Sequence, residues 1–207
     1  MDIKKEIKLA FSENKNALIV ASVIFIASMI LGYIFQPELY SILNPVVDDL
    51  SNKIESGTVR LTFPIIFLNN IQIVFSMFVY GVLFCFSAVI LAFNGFFTGY
   101  YVATTNELFI TLLLIVPHGI FEFPSCIIAC MSGFVLFNFI FKFIKELLTQ
   151  KEDSVKSLVS NAFDLSYPKL KQAFILLIIA SLLMVIAGVI EVYLTIPIAQ
   201  FVVSIFS

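Results

Sequence analysis

Long apolar tracts separated by short polar intervals dominate the chain. Apolar residues occupy about 17–35, 63–102, 108–143 and 173–194 almost without interruption. A helix needs about 20 such residues to cross the hydrocarbon core of a bilayer. The first tract (17–35) and the last (173–194) therefore predict one membrane span each, and residues 64–143 have room for three. The sequence predicts an all-α, polytopic transmembrane helix bundle of about five spans.

Two polar segments, residues 1–16 and 144–172, repeat apolar side chains at helical spacing. Such amphipathic helices lie on a membrane surface, so we expect two interfacial helices. Asp153 or Ser154 is the expected N-cap of the second helix. The apolar positions are Ile3, Ile7, Ala10 and Phe11 in the first segment, and Val155, Leu158, Val159, Ala162 and Phe163 in the second. Residues 36–63 are expected to form an outer loop and residues 195–207 an outer tail.

The tract from Leu108 to Phe143 is too long for one span and too short for two comfortable ones. The motif Val116-Pro117-His118-Gly119 interrupts it, and proline removes a helical hydrogen bond. We therefore expect a half-helix that ends at Pro117 and a full helix from about Gly119, with Pro124 shortly after the break. Broken or re-entrant backbone of this kind is typical of functional centres in transporters.

The basic residues predict the orientation. Of the twelve, four lie in residues 1–16 and six in residues 142–172, whereas the interval 36–63 has two. The positive-inside rule places both lysine-rich segments in the cytoplasm. Five spans satisfy this condition, whereas four or six would not. The prediction is a multi-pass protein of the cell membrane with a cytoplasmic N-terminus. No small-x-small cleavage site follows the first tract, so we expect that tract to stay as a span.

The composition supports the same class. The chain is 60% hydrophobic and 13% charged, about half the charged fraction of a soluble domain, so lipid is the expected surrounding. A net charge of −2 gives no support to nucleic-acid binding. Cys85, Cys126 and Cys130 all lie in apolar stretches and are expected to pack as small hydrophobes. No cofactor is expected.

Two carboxylates stand out inside the apolar tracts. Of fourteen acidic residues, only Glu122 and Glu191 lie away from polar segments and span edges. A charge at the bilayer centre costs about 2.5–3.5 kcal/mol on insertion scales. His118, the single histidine, precedes Glu122 by four residues and would share its helix face. This pair could handle protons or bind a cation, or the two side chains could bond each other and seal a helix break.

Asparagines and glycines supply further candidates in the spans. Asn69, Asn70 and Asn94 could hydrogen-bond between helices, or they could converge on Glu122 and line a polar cavity. Gly95 and Gly99 form a small-xxx-small pattern. This pattern predicts close helix contact, either within the chain or between copies in a homo-oligomer.

Enzyme motifs are absent from the sequence. It contains no His-Glu-x-x-His pair, no Gly-x-Ser-x-Gly elbow and no phosphate loop. We therefore expect a protein that is not an enzyme. A third hypothesis remains, an intramembrane metalloenzyme in which His118, Glu122 and Glu191 hold the metal.

Several of these motifs together resemble the stage II sporulation protein M family of membrane proteins. The resemblance covers about 63–200, and the Pro-His-Gly-x-x-Glu element is its most specific part. It is carried by Asn69-Asn70, Asn94-Gly95 with Gly99, Val116-Pro117-His118-Gly119-Ile120-Phe121-Glu122-Phe123-Pro124, and Ile190-Glu191.

The resemblance implies a polytopic membrane protein. Family members in sporulating bacteria act in engulfment with cell-wall hydrolase partners, and many other relatives have no settled function. The implied role is a membrane scaffold or complex subunit with membrane or cell-envelope protein partners. The alternative is a small channel or transporter with a buried polar site around Glu122 and His118.

Overall fold

The fold is all-α, as the sequence predicted. A computed structural model describes residues 2–55, 63–83, 86–105, 107–150 and 154–206, and every regular element within these ranges is helical. The helices are α1 (Ile3–Glu13), α2 (Lys15–Ile34), α3 (Gln36–Glu55), α4 (Phe63–Val79), α5 (Phe86–Thr104), α6 (Leu108–Thr149), α7 (Val155–Tyr193) and α8 (Thr195–Phe206), with a 3-10 turn at Tyr80–Leu83. Cys85 and Asp153 lie outside the described residues.

Five helices are long and apolar enough to cross a membrane. They are α2, α4 with its 3-10 turn, α5, α6 and α7. This number confirms the predicted polytopic bundle of about five spans. Each of these helices exposes large apolar side chains, as surfaces that face lipid must.

The predicted break near Pro117–Gly119 is wrong. Helix α6 runs without interruption from Leu108 to Thr149, through both Pro117 and Pro124. Each proline removes the hydrogen bond to one carbonyl four residues earlier. Neighbouring helices can stabilise such a helix inside a membrane, and α7 and α8 pack along α6. The backbone therefore stays helical where the sequence pattern indicated a half-helix.

The structure also joins two segments that the sequence separated. The predicted interfacial helix and last span form one helix, α7, which begins after Ser154. The Ser154 hydroxyl accepts a hydrogen bond from the Lys156 amide and so caps the helix. Helix α6 extends to Thr149, beyond the expected end of its span. Part of the expected outer loop is also helical, as α3, while residues 56–62 lie outside the described part of the chain.

Helices α2 and α5 cross at glycines. A Cβ added to Gly99 would overlap with the main-chain carbonyl of Met29, and one added to Gly32 would overlap with that of Phe96. The small-xxx-small pattern therefore serves a contact within the chain. Phe25 faces Gly95 as Met29 faces Gly99, so the two helices run parallel. Parallel spans require a returning helix between them, a role that α4 fills.

A buried hydrogen-bond network fastens α1 to α7. The Asn14 amide donates to Gln172 Oε1 at 2.9 Å, and the Gln172 amide donates to Glu13 Oε2 at 2.9 Å. Lys169 Nζ lies 3.1 Å from the same Glu13 oxygen. The bond from Gln172, and then the one from Lys169, lower the pKa of Glu13. The resulting stabilisation is present above the ordinary glutamate pKa and is lost as the pH falls through the lowered value.

The two lysine-rich segments meet at one end of the bundle. Besides the Glu13 network, Lys171 Nζ lies 2.7 Å from Glu6 Oε1, which joins α7 to α1 again. Helix α4 returns to this end, and the 3-10 turn that follows it contains Gly81. A Cβ on Gly81 would overlap with the backbone of Gly133, so this part of α6 lies at the same end. Both segments therefore lie on the same side of the membrane, in keeping with the positive-inside prediction.

Candidate functional site

The seam between α6 and α7 contains the ionisable side chains of the membrane interior. The helices are antiparallel, and the buried Ser125 hydroxyl donates to the Ala180 carbonyl at 2.7 Å. Two residues before Ser125, the Phe123 ring contacts Phe25 of α2 with ring centroids 5.2 Å apart. Phe25 lies near the middle of α2, so this part of the seam lies near mid-depth of the spans.

The structure brings His118, Glu122 and Glu191 together. One ligand atom from each residue lies within 4.8 Å of the other two. His118 Nε2 lies 3.8 Å from Glu122 Oε2, and these side chains are only 15% and 18% exposed. The pair shares one face of α6 because the residues are one turn apart. Glu191 reaches the pair from α7 across the seam.

Thr195 is a fourth member of this group, and the sequence analysis missed it. Its hydroxyl lies 3.5 Å from His118 Nδ1 and 3.1 Å from the carbonyl of Ile190. Glu191 and Thr195 are four residues apart, the same spacing as His118 and Glu122. This repeated spacing was a signal in the sequence that could have identified Thr195.

Helix α8 continues the seam where an outer tail was expected. The Ile198 amide donates to the Leu194 carbonyl, so helical bonding resumes directly after α7 ends. The apolar helix α8 then packs along the first turns of α6. A groove of about 430 Å³ lies between them, lined by Ile110, Leu114, Ile196, Ala199, Gln200, Val203 and Ser204. Glu191 therefore does not lie at a free helix end, because α8 follows α7 directly.

The cluster contains two carboxylates but only one basic side chain. Glu191 Oε2 is buried and has no hydrogen-bond partner. In the described part of the chain, His118 is the single basic group within salt-bridge distance of Glu122, and Glu191 has none. Unpaired carboxylates at this depth are costly. The arrangement therefore favours a bound proton or cation.

The three asparagines lie elsewhere. The Asn69 amide donates to Asn70 Oδ1 at 3.4 Å, within α4. Asn94 lies in α5, where its main-chain carbonyl accepts from the Thr98 hydroxyl at 2.9 Å. Among the described residues, no hydrogen bond joins these side chains to the cluster on α6 and α7. The structure thus unites three of the six predicted polar residues.

The predicted glycine and proline positions also fall into two groups, one at the α2–α5 crossing and one next to the cluster on α6. Gly95 and Gly99 serve the α2–α5 crossing. Pro117, Gly119 and Pro124 flank the cluster on α6, where Gly119 is buried next to the Phe123 ring. Cys126 and Cys130 are buried and carry free thiols, so they pack as small hydrophobes.

Comparison with known proteins identifies the relatives of this chain. Residues 21–196 match the family model described as Stage II sporulation protein M. The chain is 35% identical to Uncharacterized protein MJ0793 of Methanocaldococcus jannaschii, over 83% of this chain and 91% of that protein. It is 28% identical to Uncharacterized protein MJ0706 of the same organism, over 95% of this chain and 89% of that protein. No solved structure matches. The chain therefore belongs to the stage II sporulation protein M family of integral membrane proteins.

Proposed function

We propose that the protein is a membrane-embedded subunit of a larger protein assembly, and that it acts as a scaffold through the hairpin of α6 and α7. This hairpin consists of residues 134–149 and 155–171. Its projection beyond the short spans is the observation that carries the proposal. Membership of the family supports a membrane protein but does not specify the partner.

The projection follows from helix lengths and contacts. Gly133 and Gln172 lie level with the ends of the short spans on the lysine-rich side, next to Gly81 and Asn14 respectively. The 16 residues of α6 beyond that level extend about 24 Å at 1.5 Å per residue. Lys142 Nζ donates to the carbonyl of Leu165 at 2.6 Å, so the two arms stay together.

The hairpin exposes apolar side chains at its tip. Leu148 is 81% exposed and Val155 is 78% exposed, and Phe141 on the same arm is also exposed. Large apolar side chains that are exposed beyond the short spans are candidates for protein or membrane contact sites. Lysines on both arms would complement an acidic partner surface. These features support a partner-binding surface at the lysine-rich end.

Charged substitutions at the tip test this proposal. Leu148→Lys combined with Val155→Lys should release the partner, because each change places an ammonium group in an apolar contact. The measurement is the mass of the complex in native nanodiscs cut directly from the membrane. Leu148→Lys and Val155→Lys are also measured singly, and Ser160→Lys is the control for each, because it adds one ammonium group at an exposed polar position on the same hairpin. A wild-type protein that occurs alone, or only with copies of itself, would contradict the proposal.

A second candidate function, cation or proton transport, is favoured by the cluster of His118, Glu122 and Glu191. Half-buried ionisable groups inside spans commonly mark ion pathways and proton relays. The groove between α6 and α8 lies on the side of this cluster away from the lysine-rich end, and would be the approach from that side.

Flux through liposomes tests the second candidate. Glu122→Gln keeps the side-chain shape and removes the charge, so it should reduce proton or cation flux at least tenfold. Glu107→Gln is the control, since Glu107 is an exposed carboxylate just before α6. Wild-type flux equal to that of empty liposomes, or unchanged flux in Glu122→Gln, would exclude transport through this cluster.

A further inference from the structure

We propose that His118, Glu122 and Glu191 bind one divalent transition-metal ion, which joins α6 to α7 inside the membrane. The proposal depends on neither function above, because a resident ion can stabilise a scaffold as well as serve a transporter. Three observations carry it: the spacing of the three side chains, the hydrogen bonding of the histidine, and the charge of the cluster.

The spacing suits ligands of one ion. The 3.8 Å between His118 Nε2 and Glu122 Oε2 is long for a hydrogen bond. Two ligands about 2.1 Å from a tetrahedral Zn²⁺ lie about 3.4 Å apart. The group spans no more than 4.8 Å across both helices, so small side-chain movements bring all three atoms to an ion.

The hydrogen bonding of Thr195 orients the histidine as a ligand. The Thr195 hydroxyl donates its one proton to the Ile190 carbonyl, 3.1 Å away. The contact of 3.5 Å between Thr195 Oγ1 and His118 Nδ1 can then be made only if Nδ1 carries a proton. In the neutral ring this leaves the lone pair on Nε2, which points towards Glu122. Metal-bound histidines characteristically donate their other N–H to an oxygen in this way.

A lone pair and two carboxylates that converge are stabilised by positive charge between them, from a bound proton or a metal cation. Without one, Nε2 and the Glu122 carboxylate repel each other at 3.8 Å. Glu191 Oε2 is buried and has no hydrogen-bond partner, so it offers a free ligand atom. A dication neutralises both carboxylates at once, which removes the cost of burying them. A single proton would neutralise only one.

The donor set narrows the choice of metal. One imidazole and two carboxylates suit Zn²⁺, Fe²⁺ or Mn²⁺, whereas Cu(I) prefers sulfur ligands. The buried Cys126 follows Glu122 by one turn but is not part of the group of ligand atoms. Three protein ligands leave a coordination position for water or a fourth group.

Zinc titration of the purified full-length protein tests the site. After removal of metal with a chelator, calorimetry in detergent at pH 7 should show one Zn²⁺ bound per chain. Glu122→Gln, Glu191→Gln and His118→Gln should each weaken binding at least tenfold. Thr195→Val should weaken it about tenfold through the orientation of the histidine. Glu107→Gln, which removes an exposed carboxylate just before α6, should bind as the wild type does.

A second measurement guards against variants that misfold. Zn²⁺ should raise the Tm of the wild type, and this shift should disappear in the Glu122→Gln/Glu191→Gln double variant while its helical circular dichroism is retained. Zn²⁺ bound without any ion flux in liposomes would support a resident ion. Absence of binding by the wild type to Zn²⁺, Fe²⁺ and Mn²⁺ would overturn the proposal. Full binding by Glu191→Gln would overturn it too.

Discussion

Gly99→Ala is expected to separate α2 from α5 and to destabilise the protein by about 3 kcal/mol or more. The new Cβ would overlap with the carbonyl of Met29, which belongs to the backbone of α2 and cannot rotate away. The helices must move apart, and the adjoining contacts of Gly32 and Gly95 are lost with them. The measurement is the free energy of unfolding in mixed micelles, followed by circular dichroism as the fraction of denaturing detergent rises.

Gly119→Ala is the matched control for this prediction. It makes the same chemical change in another buried helical glycine. Its Cβ would meet the Phe123 ring at 3.0 Å, and a side chain can shift where a backbone cannot. Alanine also favours a helix over glycine by about 1 kcal/mol. We expect a change of no more than about 1 kcal/mol. Equal effects of the two substitutions would contradict the assignment of Gly99 to a backbone contact.

Gln172→Leu should have the second largest effect, a destabilisation of about 2 kcal/mol. Gln172 is buried, bonds to Asn14 and Glu13, and accepts from Lys169 at 3.0 Å. Leucine fills similar space but leaves Asn14 Nδ2 with one acceptor fewer, since of its two bonds only the one to the Ala10 carbonyl remains. Helix α1 should then detach from α7. Limited proteolysis of α1 and the free energy of unfolding measure the two effects.

Lys171→Gln separates this effect from simple loss of charge. It removes the ion pair with Glu6, which is partly exposed and should contribute about 0–1 kcal/mol. We expect proteolysis of α1 to rise strongly in Gln172→Leu and only slightly in Lys171→Gln. The reverse order would show that surface charge, and not the buried network, holds α1 in place.

The helical class and the number of spans could be predicted because they depend on single-segment properties. Tract length alone indicates a span, as residues 17–35 illustrate with α2. The distribution of lysines predicted that the two basic segments lie on the same side of the membrane. The ion pairs of Lys169 and Lys171 with α1 bring these segments together. Neither inference needs knowledge of how helices pack.

Helix ends were harder to predict because packing decides them. Pro117 is a strong breaker by local rules, yet α6 passes through it under the cover of α7 and α8. The polar composition of residues 155–171 suggested a helix separate from the last span. In the structure one helix continues through Pro168 to Tyr193. A breaking residue shows where a helix can end, and its neighbours determine whether it does.

The candidate cluster was only partly predictable for a related reason. His118 and Glu122 could be paired by spacing along one helix. The meeting of Glu191 with them depends on the register of α6 against α7, which a single sequence does not contain. Asn69, Asn70 and Asn94 lie on α4 and α5, and a single sequence does not show which faces of those helices meet α6 and α7.

The unequal helix lengths give α6 the mechanical properties of a lever. Beyond Pro124 the helix is free of proline up to Thr149, a distance of about 37 Å. A tilt of about 10° at the proline would move the Thr149 end by about 6 Å, whereas Glu122 would hardly be displaced. Small rearrangements near mid-membrane are therefore magnified at the exposed tip.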